Sequence, residues 1–295
     1  MIAAVFFLLL PLFLTIAVGY VYAKRVPVSD DTLFRVLADI VAPMMFFHSL
    51  YSSPVAGEMV LRIGGAAGFV VIVLTILGLL WTRTRRIDPR SYLLAVIMYN
   101  TGFLGIPLMK LWGGNEAMNI VLIYDQLQGA FAIAIAIMIV TGGFSAGRIL
   151  EVLKTPLFFS IFLGMGFRFL KVPVPQVALE VCEFAGSGMG SLAALALGCS
   201  LTKRRLRFDS HLAMGYFLRT GAGFLLGVAA VFLFGIQGLA RPVFIVGSAL
   251  PSALFSYVLT SRYGADPEFT GTMILVSTAL GVLSVPVAFW GASFF

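Results

Sequence analysis

The chain has 295 residues, 60% hydrophobic and only 11% charged, with a mean hydropathy of +1.02. A soluble domain carries about a quarter of its residues as charges, so a water-exposed globular fold is excluded. The net charge of +7 implies no nucleic-acid partner, because the basic residues fall in short clusters between apolar runs, as topology signals do.

In chain order the apolar runs predict ten membrane-crossing helices, near 3–23, 33–53, 59–82, 91–111, 118–141, 155–171, 176–201, 210–234, 242–262 and 268–292. The first opens apolar at Ile2, with no basic leader and no small-residue cleavage site, and reads as a retained helix. Loops after odd-numbered spans hold Lys24, Arg25, Arg35, Arg83, Arg85, Arg86, Arg90, Arg148, Lys154, Lys203, Arg204, Arg205, Arg207 and Arg262. The opposite side holds Arg62, Lys110, Arg168, Lys171 and Arg241. Fourteen cations against five put the odd loops in the cytoplasm and both termini outside a multi-pass cell-membrane protein.

Two spans are interrupted. Span 4 carries "YNTGFLGIPLM", residues 99–109, and span 9 carries "ALPSALFSY", residues 249–257. They are the fourth spans of two five-span halves, 1–145 and 146–295, and an odd number of spans per half makes the halves opposite in orientation. Paired interruptions at corresponding positions point to a site at the bilayer midplane of an inverted-repeat carrier. An unwound stretch leaves backbone groups unpaired at several kcal/mol each, so it persists only where protein, water or ligand supplies partners. Half-helix N-termini suit an anion and freed carbonyls suit a cation. Asn100, Thr101, Gly102, Pro251, Ser252 and Ser256 are the candidate substrate residues, joined by Gln126, one helix over from the break. The competing reading makes Gly102, Gly105 and Pro107 a kink for close helix packing.

Ionisable residues inside spans are costly and face a cavity or a partner. Asp39 in span 2 and Asp125 in span 5 are the alternative proton carriers, against a structural ion pair, for instance with Arg219 of span 8. Glu180 and Glu183 fall near the outer surface. His48 and His211 stand at no metal-ligand spacing and Cys182 and Cys199 at no metal or redox spacing, so no metal or cofactor is implied. The glycine run "AGSGMGS", residues 185–191, has no preceding strand and no following Lys, and reads as close helix approach.

With these motifs in view, the chain resembles the auxin efflux carrier family, which is related to the bile acid sodium symporters. "NTGFLGIPLM" is similar to the plant pattern "NTLVMGIPLL", and "ALPSALFSYVLTSRYGADPE" resembles the "ALPQG" segment, with Tyr263 and Pro267 following at matching distances. "VAPMMFFHS", which ends one residue past His48, and "PLFLTIAVGY" fit the family's second and first spans. Tyr99 stands where plant members have a proline, Ser252 replaces a glutamine and Ser256 a second proline. The resemblance implies an all-α fold of ten helices in two inverted five-helix repeats with crossing broken helices 4 and 9. It also implies elevator-type movement, a homodimer, and transport of organic anions, with small dicarboxylates such as malonate or malate ahead of auxin.

The expected function is a secondary carrier of small carboxylates coupled to protons. A sodium-coupled symporter is the alternative, and an anion channel fits less well because the polar residues cluster at one depth. No nucleophile elbow, H-E-x-x-H pair or nucleotide loop occurs, so neither an enzyme nor a primary pump is expected.

Overall fold

The computed structural model describes residues 2–52, 58–142, 156–203, 206 and 208–295. Arg148, Lys154, Arg204, Arg205 and Arg207 and the join of the two predicted halves lie outside the described residues. Among those described, the backbone is helical and forms no strand. The helices are α1 (Ile2–Ala23), α2 (Asp30–Val36), α3 (Ala42–Ser52), α4 (Glu58–Arg85), α5 (Pro89–Ile97), α6 (Ile106–Val140) and α7 (Pro156–Phe169). They continue with α8 (Gln176–Ser187), α9 (Met189–Leu201), α10 (Ser210–Tyr216), α11 (Gly223–Leu233), α12 (Ala240–Ser248), α13 (Leu254–Arg262) and α14 (Pro267–Ala292). Three π-helical turns are spliced in: Leu37–Val41 between α2 and α3, Thr101–Gly105 before α6, and Phe217–Ala222 between α10 and α11. Each carries polar residues singled out from the sequence, namely Asp39, Thr101 with Gly102, and Arg219, and π turns recur at functional positions.

Six stretches of the described residues are long and apolar enough to cross a membrane: Thr32–Ser52, Glu58–Arg85, Thr101–Val140, Gln176–Leu201, Ser210–Leu233 and Pro267–Ala292. The sequence predicts ten. The shortfall has a local cause where helices are broken, because α5, α12 and α13 have nine residues each, or about 14 Å of helix against a hydrocarbon layer of about 30 Å. In α1 and α7 the described apolar stretches are the shorter Leu9–Ala23 and Phe159–Phe169. The predicted junction between 111 and 118 holds a break, because Gly113 and Gly114 leave helical geometry and divide Ile106–Val140 into two helices. Gly114 there has φ 69° and ψ −158°, a backbone shape open only to glycine.

Polar caps start α5, α10 and α14. Asp88 accepts from the Arg90 N–H at 2.9 Å with Pro89 at the first helical position of α5, Asp209 accepts from Leu212 at 2.9 Å, and Asp266 caps α14 in the same way ahead of Pro267. Such caps satisfy N–H groups that the first helical turn leaves free. Arg90 also clasps the Asp88 carboxylate through its side chain at 2.7–3.1 Å, which holds that carboxyl below its usual range.

The densest packing falls in two sets, which α1 links by lying against α14 as well. The first joins α1 to α9 and α3 to both α7 and α8, and the second joins α4, α5, α6, α11, α12 and α14. Glycines let backbones touch in the first set. A Cβ on Gly198 would collide with the Ile16 carbonyl, and one on Gly186 would lie 2.8 Å from the Met45 Cα. Gly198→Val should therefore lower the unfolding temperature in detergent, at an overpacking cost of about 1–3 kcal/mol; Gly166, with open space around it, is the control position. The half-helices α5, α12 and α13 are shielded from lipid. All seven residues from Ser91 to Ile97 are buried, as are Val243–Ser248 and Leu254–Thr260, whereas α4 exposes Leu61, Ile72 and Leu80 on one face. Irregular backbone is tolerable where protein covers it.

Candidate functional site

The two predicted interruptions meet. Residues 98–100 and 251–253 run antiparallel, with a bridge between Tyr99 and Ser252. Asn100 N–H donates to the Pro251 carbonyl at 2.9 Å, and Ala253 N–H donates to the Met98 carbonyl at 2.9 Å. Carbonyls that α5 and α12 leave without a helical partner are taken by side chains from several elements. Ser252 Oγ donates to Ala95 O at 2.6 Å, Gln128 Nε2 to Ile97 O at 3.1 Å, Arg219 Nη1 to Val96 O at 2.6 Å, and Arg219 Nη2 to Ser248 O. Ser277 Oγ receives the Ser252 N–H at 3.2 Å. Each bond meets a group that would otherwise be unpaired in an apolar core.

Among the described residues near the crossover, Tyr99 Oη, Gln126 Oε1 and Arg219 Nε are buried without a partner, and Asn100 is left with both of its polar side-chain atoms unpaired. The Asn100 side chain is 3% exposed, and neither its Oδ1 nor its Nδ2 has a hydrogen-bond partner. Buried amides without partners are rare, and each such group calls for an explanation. Asn100 stands between two cavities. One, of about 250 Å³, reaches toward α3 and α6 and is lined by Phe46, Ser49, Gly102, Asp125, Gln128 and Phe255 among others. The second, of about 280 Å³, reaches toward α1, α8 and α9 and is lined by Leu12, Thr15, Ser187, Ser191 and Leu254 among others. Asn100 and Phe103 belong to both walls. Neither Thr101 nor Leu254, where helix resumes after each break, is preceded by a side-chain cap. The breaks thus present uncapped helix N-termini beside a free carboxamide, a combination suited to an anion. A larger hollow of about 1170 Å³ lies between Trp112, Arg241 and Trp290, and none of its lining residues belongs to a break.

The predicted ionisable residues have partners that differ from those expected. Asp125 lines the smaller cavity and accepts a hydrogen bond from Thr101 Oγ1, so α6 is tied to the π turn that follows Asn100. Asp39 pairs with Arg262 at the end of α13, 3.0–3.1 Å away, with the two side chains 35% and 29% exposed. It is not a lone mid-span carboxylate. Arg219 pairs with neither acid. It is fully buried on helix carbonyls, with its guanidinium carbon 3.4 Å from the centre of the Tyr99 ring.

Of the other sequence candidates, Gly102 lines the smaller cavity. The Thr101, Ser252 and Ser256 hydroxyls are engaged by Asp125, Ala95 O and Ala253 O. Pro251 packs on α14, 3.0 Å from where a Cβ on Gly281 would stand. Gln126 turns to Ser49 Oγ at 2.6 Å, and it is Gln128 that reaches the break. The signal was available in the spacing, since Gln128 is three residues from Asp125 and shares its helix face. Phe103 carried no such signal as one apolar residue among many. Glu180 hydrogen-bonds Gln176, and Glu183 is 68% exposed, 3.9 Å from His48 Nε2. Within "AGSGMGS", Gly186 meets Met45 and Gly190 meets the Phe103 ring, so that run does make close helix approaches. Cys182 and Cys199 are not joined in a disulfide, and the Cys199 thiol donates to Gly19 O at 3.4 Å. Among the described residues no cluster of three or more His, Cys, Asp or Glu could hold a metal.

A family model described as membrane transport protein matches residues 4–146 and again 144–289. A protein from Methanothermobacter thermautotrophicus named "Uncharacterized transporter" is 26% identical over 268 residues, 87% of each chain. A second from Methanocaldococcus jannaschii, named in the same way, is 28% identical over 68% of this chain and 66% of its own. A protein from Rhizobium meliloti named "Putative malonate transporter" is 24% identical over 94% of this chain and 92% of its own.

Proposed function

Because the chain belongs to the membrane transport protein family, the auxin efflux carrier family that its motifs resemble, we propose that it is a secondary carrier that binds a small carboxylate where the two breaks cross. The observation that carries this reading is the unpartnered, buried Asn100 carboxamide beside two uncapped helix N-termini. Cavities of about 250 and 280 Å³ are smaller than the roughly 300–1,000 Å³ of drug-sized ligand sites, which favours a small metabolite. The malonate named for one relative is the first probe.

The proposal includes ten spans in two inverted five-helix repeats. The broken α5–α6 and α12–α13 segments are the fourth span of each, and the set containing α1, α3, α7, α8 and α9 serves as the frame against which the remainder moves. Cavities on opposite sides of Asn100 suit a site reached alternately from two directions. Coupling to protons through Asp125 is preferred to coupling through sodium, because Asp125 shares a cavity with Asn100 while the carbonyls at the breaks already accept hydrogen bonds.

Counterflow in proteoliposomes with a panel of small carboxylates, at two pH values and with or without sodium, tests the reading. Exchange of malonate or a related carboxylate supports it, and inert vesicles across the panel would remove the carboxylate assignment. Orientation is tested separately. A cysteine introduced near Arg86 should resist an impermeant thiol reagent added to intact cells, while one at Gly114 should be labelled. The opposite pattern would reverse the topology.

A further inference from the structure

We propose that Arg219 is the positioning residue of the crossover: its guanidinium ties the C-terminal ends of α5 and α12 together and neutralises their negative ends against Tyr99, the residue before Asn100. The side chain is fully buried, yet among the described residues no carboxylate pairs with it. Its partners are Val96 O and Ser248 O, last-turn carbonyls of two different half-helices. Each helix C-terminus carries about half a negative charge, so two of them together offset about one guanidinium. The pair of broken helices thus replaces the acid that a buried arginine usually requires.

Two further features fit that role. Gly223 clears space for the guanidinium, since a Cβ there would stand 2.7 Å from Nη2 and collide with Ser248 O. The Tyr99 ring lies flat enough on the cation to put its centre 3.4 Å from the guanidinium carbon, and Tyr99 is the residue before Asn100. Helices of nine residues are marginal by themselves, so a fork that reaches both ends at once fixes their mutual register. Lysine offers a point charge without that planar fork.

The consequence for transport rests on the carrier reading given above. With the negative helix ends neutralised at Arg219, the positive N-terminal ends at Thr101 and Leu254 dominate the potential at Asn100, and the crossover favours anions.

Two variants of the purified protein test this. Arg219→Met keeps length and loses charge and donors, while Arg219→Lys keeps charge and loses the fork. Hydrogen exchange by mass spectrometry in peptides spanning 95–104 and 247–256 should rise about tenfold or more in Arg219→Met and less in Arg219→Lys, with α4 unchanged. Malonate affinity should fall about tenfold in Arg219→Met and recover largely in Arg219→Lys, as expected for a charge acting at short range in a low-dielectric core. Wild-type exchange in both peptides of Arg219→Met, or a Lys variant no better than the Met variant, overturns the proposal. Absence of malonate binding by the wild type counts against the carboxylate reading alone, and the exchange measurement then decides the role of Arg219. Should neither variant be recovered folded, Gly223→Ala, which displaces the guanidinium while keeping it, is expected to loosen the same two peptides. Unchanged exchange there refutes the role.

Discussion

Asn100→Ala is expected to weaken carboxylate binding about tenfold to hundredfold while leaving the protein folded and monodisperse. Within the protein this side chain makes no hydrogen bond, so truncation removes no intramolecular partner and relieves the cost of a buried, unpaired amide. Stability should therefore hold or rise slightly. Binding should suffer, because a hydrogen bond to a charged group is worth about 1.5–3 kcal/mol, or about a tenfold to hundredfold change in affinity. Isothermal titration or ligand-induced thermal stabilisation with malonate reads both quantities on one preparation. A variant of unchanged stability and unchanged affinity would show that the orphaned amide is not a ligand group. Asn100→Asp is the informative companion, since it keeps the shape but adds a negative charge to the anion site, and it should bind more weakly than the alanine variant.

The paired breaks were legible because a bilayer admits few exceptions to continuous helix. Asn, Gly and Pro in span 4 and Pro and Ser in span 9 are conspicuous against Leu, Val and Ile, and the structure brings those residues together as an antiparallel contact. The partners of the charges were not legible. Pairing of Asp39 with Arg262 spans 223 positions in the chain, and Arg219 meets carbonyls rather than an acid, an arrangement set by helix ends that no residue type announces. Ser252 and Ser256 lie in the break as expected, and their hydroxyls donate to carbonyls nearby, partners that their residue type does not announce. Aromatic walls such as Phe46 and Phe255 are indistinguishable in sequence from lipid-facing or core residues. Their place at the cavity is a property of packing.

Asp125→Asn is expected to separate binding from energy coupling. An anion held at Asn100 and an ionised Asp125 would share one cavity, and two like charges about 5 Å apart at an effective dielectric near 20 repel by about 3 kcal/mol. A proton on Asp125 removes that repulsion, so anion and proton should bind together, and wild-type affinity for malonate should weaken as pH rises. Asparagine has the shape of the protonated acid but does not titrate. The variant should bind malonate at high pH at least as well as the wild type does at low pH. It should also show affinity independent of pH, retain counterflow, and lose accumulation driven by a proton gradient. Thr101, which donates to Asp125, can accept from or donate to the amide, so the π turn has a partner in either variant. Asp39→Asn is the control. It breaks a partly exposed pair with Arg262, worth about 0–1 kcal/mol, and should leave the pH dependence in place. If Asp125→Asn accumulates substrate as the wild type does, proton coupling through this carboxyl is wrong. If Asp39→Asn instead removes the pH dependence, the coupling group is the one joined to α13 at Arg262.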